Sequence, residues 1–85
     1  MTGDDKDRCF LCGTYGRMDV HHCLHGSYRK KADQYGLVVH LCRSCHMRLH
    51  DRGDHDKDLQ RMAQEEFEKE YGHEKWMQEF GRNFL

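Results

Sequence analysis

Two Cys-x-x-Cys pairs, Cys9/Cys12 and Cys42/Cys45, constrain this chain more than any other feature. One tight turn can present each pair of thiolates, and four such soft ligands are what a tetrahedral zinc ion takes. Gly13, directly after the first pair, tolerates the backbone angles that such a turn needs. Size argues for the metal as well. The chain has 85 residues, 34% of them charged and 36% hydrophobic, and domains this small commonly need a metal or disulfides to hold together. Five cysteines are an odd number, and the start, Met1 to Asp7, is polar and acidic rather than a secretory leader. Reduced, metal-bound thiols in the cytoplasm are therefore expected, not a disulfide framework. Cys23 is left over as a core thiol, and the competing reading of the other four is that some are small buried hydrophobes. No apolar run approaches the ~18 residues of a membrane span.

In order along the chain, residues 1–8 are charged and expected to be flexible. Met18 to His22 predicts a short strand, and Leu37 to Leu41, β-branched at Val38 and Val39, predicts its antiparallel partner. Between them, Tyr28 to Tyr35 suits about two helical turns. Arg43 to Asp51 predicts a helix that starts in the second cysteine turn and stops near Gly53. A cysteine knuckle, a hairpin and a helix carrying the last ligands describe an α+β treble-clef zinc finger (ββα-metal), spanning 9–53. A C-terminal helical extension follows over 54–85, all within one domain. Its first helix is expected from Asp56, as N-cap, to Tyr71, with Leu59, Met62, Ala63 and Phe67 on one face and Gly72 as its end. The tail spaces Trp76, Phe80 and Phe84 four apart, with Gly81 interrupting. It is read as packing over the finger, with a homodimer or protein-partner contact as the alternative.

The histidines carry the chemistry. His46 and His50 stand four apart, so on a helix they share one face about one turn apart, and imidazoles so spaced chelate a divalent ion. His21, on the hairpin that packs against that helix, completes a three-imidazole site. Three protein ligands leave positions open for a phosphate oxygen and water, which a catalytic metal requires. His22 is then free to act as general base, since imidazole titrates near working pH. Strict strand alternation sends His21 and His22 to opposite faces, so this scheme requires the strand to end or bulge at His22. His25, His40, His55 and His73 are read as exposed or structural, and a further alternative has His46 or His50 replacing a cysteine in the zinc site.

Net charge is -1, but its distribution is uneven. Residues 1–53 carry nine Lys/Arg against six Asp/Glu, and residues 54–85 carry five against nine, giving +3 and -4. A polyanion would therefore meet the metal-rich half, whose potential bound cations raise further. Arg29, Lys30 and Lys31 in the hairpin connection, with Arg43 and Arg48 on the following helix, are the candidate phosphate contacts. The plainer reading of the basic run is a solvated loop.

Asp19-Val20-His21-His22, followed by Leu37-Val38-Val39-His40-Leu41-Cys42-Arg43-Ser44-Cys45-His46, resembles the HNH (His-Me finger, ββα-metal) endonuclease signature with paired zinc knuckles. The extension from His46 to His50 resembles the colicin-type DNase version, in which three His hold the metal. The rest, from Tyr28-Arg29-Lys30-Lys31 to Phe80-Gly81-Arg82-Asn83-Phe84-Leu85, is similar to small HNH proteins of bacteriophages and prophages. The resemblance implies a DNA endonuclease that works in the cytoplasm, the host's if phage-encoded. In it His22 activates water, and His21, His46 and His50 hold one catalytic divalent metal (Zn, Ni, Mn, Co or Mg), beside a structural zinc on Cys9, Cys12, Cys42 and Cys45. It implies hydrolysis to a 5′ phosphate and a 3′ hydroxyl. One departure stands out: the Asn of the family name is replaced by Leu37 or Gly36. The rival from another class is a non-catalytic treble-clef zinc finger that binds DNA or a protein; a metal-storage peptide comes third.

Overall fold

Two short runs of period-two alternation pair into one antiparallel hairpin. In the computed structural model, which describes residues 1–85, β1 (Asp19–His22) pairs with β2 (Val38–Leu41), Asp19 opposite Leu41 and His22 opposite Val38. On β2 the alternation buries Val39 and Leu41 as hydrophobicity dictates. On β1 it runs against hydrophobicity: Val20 is exposed, while His21 is only 3% exposed. The inner face of β1 meets the imidazoles of a helix, and that contact selects the residue. The hairpin connection is a 3-10 turn (Gly26–Tyr28) followed by α1 (Arg29–Gln34), which buries Ala32.

Helix α2 (Arg43–Arg52) begins on a cysteine. The Cys42 sulfur accepts the Cys45 N–H at 3.5 Å, serving as the cap that Ser or Asp usually provides. Gly53, in the left-handed region at φ 76°, closes the helix by donating its N–H to the Leu49 carbonyl at 2.8 Å.

Helix α3 spans Asp56–Tyr71, the bounds expected from its apolar stripe, but its N-cap is His55 and not Asp56. His55 takes the left-handed conformation at φ 64° and makes no side-chain cap. Asp56 is instead the first residue inside the helix, and its Oδ1 accepts from His25 Nε2 at 2.6 Å. Its charge still lies in the first turn, where the helix dipole favours an anion. Helix α4 (His73–Phe80) ends at Gly81, also left-handed.

The extension and the finger share one core, in which Leu24, Leu37, Val39, Leu41 and Leu49 pack with Leu59, Phe67, Trp76 and Phe80. Trp76 stacks on Phe80 at 4.1 Å between centroids, Phe67 meets Phe80 edge-on at 5.6 Å, and Tyr35 meets Phe67 at 5.0 Å. Gln64, fully buried, secures the tail: its Oε1 accepts the Phe84 N–H at 2.6 Å, and its Nε2 donates to Asn83 Oδ1 and Glu68 Oε2, both at 2.7 Å. The first residues are held too. The Met1 amine donates to the Val38 carbonyl at 3.2 Å, Thr2 bonds Glu66, and Asp4 receives both the backbone N–H and Nδ1 of His40. The architecture is thus α+β, a two-stranded sheet with four α-helices, with four cysteines brought close together. No helix is long and apolar enough to cross a membrane.

Candidate metal centres

The two cysteine turns meet. In the first, the Cys9 carbonyl accepts the Gly13 N–H at 2.9 Å and the Thr14 carbonyl accepts the Cys9 N–H at 2.8 Å, so Cys9 and Cys12 lie on one tight loop. The Phe10 N–H donates to the His40 carbonyl at 2.8 Å, tying that loop to the end of β2, directly before Cys42. The sulfurs of Cys9, Cys12, Cys42 and Cys45 all lie within 4.8 Å of one another. Cys12 and Cys42 sulfurs are 3.8 Å apart, the spacing expected of about 2.3 Å metal–sulfur bonds in a tetrahedron. The four thiols could therefore hold a structural ion such as zinc.

Their electrostatics differ. The Thr14 hydroxyl and N–H beside Cys12 lower its thiol to about 6, whereas burial pushes Cys45 up to about 12 against the help of the Arg48 guanidinium. A cation among the four would supply the positive charge that the buried Cys45 sulfur lacks.

The second cluster lies between β1 and α2. His21, His46 and His50 each offer a ring nitrogen, and these atoms also lie within 4.8 Å of one another. One helical turn brings the Nε2 atoms of His46 and His50 to 3.0 Å, and the His21 ring stands edge-on to theirs at centroid distances of 5.3 and 5.8 Å. His21 Nε2 is buried and has no hydrogen-bond partner. An orphaned buried polar atom is costly, so the donor set fits a cation that all three imidazoles share. Burial, followed by the neighbouring His46, His25 and His50, lowers His21 to about 4. It is therefore neutral at ordinary pH, the form in which imidazole ligates.

Asp19 orients this cluster. Its Oδ2 accepts His46 Nδ1–H at 3.1 Å and pairs with Arg43 Nε at 3.2 Å. The His46 hydrogen bond, with the Arg43 and Arg17 charges, holds its carboxyl below the usual range despite desolvation. With Nδ1 committed to Asp19, the lone pair of His46 is on Nε2, facing His21 and His50. Sequence reasoning passed over Asp19, although period two puts it on the same face of β1 as His21.

A cavity of about 220 Å³ opens over the imidazoles, lined by Val20, His21, His22, Leu24, His25, Gly26, Arg29, His46 and His50. β1 ends at His22, so its ring reaches the rim of that cavity although it faces away from His21 in the strand. Arg29 Nε donates to His22 Nδ1 at 3.4 Å, and Asp33 Oδ1 lies 3.4 Å from His22 Nε2. Lys30 joins His22, Arg29 and Asp33 around a neighbouring shallow hollow. Lys31 turns the other way, donating to the Glu79 carbonyl on α4 at 2.6 Å. Arg43 stands beside the cluster through Asp19, and Arg48 is drawn to the cysteine site, its Nη2 3.5 Å from the Cys45 sulfur.

His40, His55 and His73 pair with Asp4, Asp58 and Glu68, away from the cavity. His25 does not keep to that company: it lines the cavity and donates to Asp56 at the start of α3. Nothing local signals this pair, whose members lie 31 residues apart. Compared with protein-family models, with curated proteins and with solved structures, the chain matches none.

Proposed function

We propose that this protein is a metal-dependent phosphodiesterase acting on DNA, an HNH-type endonuclease built on a treble-clef finger. The observation that carries the reading is the convergence of His21, His46 and His50, one of them with an orphaned buried nitrogen, beside His22 in a single cavity. The cysteines build the support: the loop of Cys9 and Cys12 is bonded to β2, and Cys42 and Cys45 open the helix that carries two of the imidazoles. A divalent ion on the three imidazoles supplies Lewis acidity and neutralises phosphate charge.

His22 has the role of general base. Arg29 donates to Nδ1, which marks that nitrogen as the one with the lone pair, while Nε2–H faces Asp33. When the Arg29 guanidinium moves to a phosphate oxygen it exposes Nδ1, which takes a proton from water. The water oxygen bonds to phosphorus as the P–O3′ bond breaks, leaving a 5′ phosphate, and the departing O3′ takes a proton from solvent water to become a 3′ hydroxyl. Arg29, Lys30 and Arg43 supply sequence-blind phosphate contacts around the cavity. Plasmid nicking by the zinc-loaded full chain, with added Ni²⁺, Mn²⁺ or Mg²⁺, tests the reading. Cutting that His21→Ala abolishes supports it; a chain that takes one ion only and never cuts is the silent finger instead.

A further inference from the structure

Three hollows follow β1 from one end to the other. The cavity over the imidazoles shares His22, Gly26 and Arg29 with the shallow hollow beside Lys30. At its other end it shares Val20 and His46 with a wider hollow of about 850 Å³, lined by Arg17, Met18, Asp19, Val20, Arg43 and His46. The imidazole cluster therefore stands midway along a trough with a cationic flank on each side. Arg29 and Lys30 form one flank, Arg17 and Arg43 the other.

The second flank holds more positive charge than the fold uses. Asp19, the carboxylate on which the Arg17 charge acts, already accepts from His46 at 3.1 Å and pairs with Arg43 at 3.2 Å. The hollow thus sets two exposed guanidinium groups against one carboxylate. Between this hollow and the imidazoles lies Val20, a valine 52% exposed where β1 turns His21 inward. Cationic flank, apolar step and candidate metal ion follow one another in the order of a nucleotide chain: phosphate, sugar, phosphate. Arginine side chains contact such backbones without regard to sequence.

We infer that the hollow between Arg17 and Arg43 is a second phosphate subsite, which holds the phosphate next to the scissile one. The bound strand runs along β1 from Lys30 and Arg29, over the imidazoles and Val20, to Arg43 and Arg17. The inference rests on the nuclease reading above and adds Arg17 to it as a substrate contact. It also narrows the substrate to a polynucleotide with phosphates on both sides of the cut, rather than a small phosphodiester.

Duplex DNA binding, measured against salt on the zinc- and Ni²⁺-loaded chain carrying His22→Ala to prevent cutting, tests this. Each lost phosphate contact should lower the slope of log affinity against log salt by about 0.9. Arg17→Ala should show that loss, Arg17→Lys should not, and Arg17→Ala with Lys30→Ala should lose about twice as much. Arg61→Ala, an exposed arginine on α3, is the control and should leave the slope as it was. In the His22 background, Arg17→Ala should slow plasmid nicking about 3- to 10-fold more than it slows hydrolysis of bis(p-nitrophenyl) phosphate, which has no neighbouring phosphate. Zinc content and the Ni²⁺ isotherm report that each variant is folded. If the parent binds and cuts DNA while Arg17→Ala behaves as Arg61→Ala does, the subsite is overturned and the nuclease reading stands. Equal losses on plasmid and small diester, or a double variant no weaker than either single one, also overturn it. A parent that neither binds DNA nor cuts either substrate overturns the nuclease reading, and the subsite with it.

Discussion

Asp19 accepts a hydrogen bond from His46 Nδ1 at 3.1 Å and so turns the Nε2 of that ring toward His21 and His50. The same carboxylate pairs with Arg43, an exposed side chain that this contact restrains beside the cluster. Replacing Asp19 by Ala frees both partners. Ni²⁺ affinity at the histidine cluster should fall by about 10- to 100-fold, as measured by calorimetry on the zinc-loaded protein, while zinc content at the cysteines stays constant. An unaltered Ni²⁺ isotherm would remove Asp19 from the site.

His22 is assigned the proton, not the metal. His22→Ala should therefore bind Ni²⁺ as the parent does while cutting about 100- to 10,000-fold more slowly. Plasmid nicking paired with metal analysis separates these effects. Equal loss of metal and of cutting would make His22 a ligand and not the base.

The cysteine site should govern whether the chain folds. Structural zinc contributes about 10–16 kcal/mol of apparent binding free energy near neutral pH, comparable to the whole stability of about 5–15 kcal/mol of a typical domain. Chelation, or Cys45→Ser, is expected to abolish the cooperative thermal transition in circular dichroism. A metal-free chain that still melts cooperatively would show the aromatic core to be sufficient alone.

Burial of neutral His21 makes stability depend on pH. Its folded value of about 4 lies below the ordinary histidine value of 6.5, so between the two the unfolded chain binds the extra proton. His21 thus leaves stability intact above pH of about 6.5 and removes up to about 3 kcal/mol as pH falls toward 4. Zinc–thiolate bonds also loosen in acid, so the measurement is the difference in urea denaturation between the parent and His21→Phe across that window. Parallel curves would mean that His21 is not held neutral in the fold.

Two contacts dock the extension. Trp76, fully buried and stacked on Phe80, should cost about 3–5 kcal/mol when cut to Ala. Gln64→Ala leaves the Phe84 N–H without its acceptor, a loss of about 1–3 kcal/mol. Denaturant midpoints give both values, and a Gln64→Ala chain as stable as the parent would show that the tail contributes nothing.

Much of the α+β architecture and the composition of both clusters was legible in the sequence. Cys-x-x-Cys pairs and a His-x-x-x-His are local patterns whose geometry follows from one turn or one helical turn, and α3 was readable from its apolar stripe and the glycine after it. The sequence also carried the conflict at β1, where a valine and a histidine compete for the inside. Only the tertiary structure decided it, because the imidazoles of α2 wait on that face and a neutral His21 completes their cluster. The same holds for the partners that orient the rings. Asp56 reads locally as a helix cap, yet its carboxylate goes to His25, 31 residues away. Local spacing sets which donors lie near each other along the chain, whereas the direction of each imidazole depends on carboxylates that only folding brings within hydrogen-bond reach.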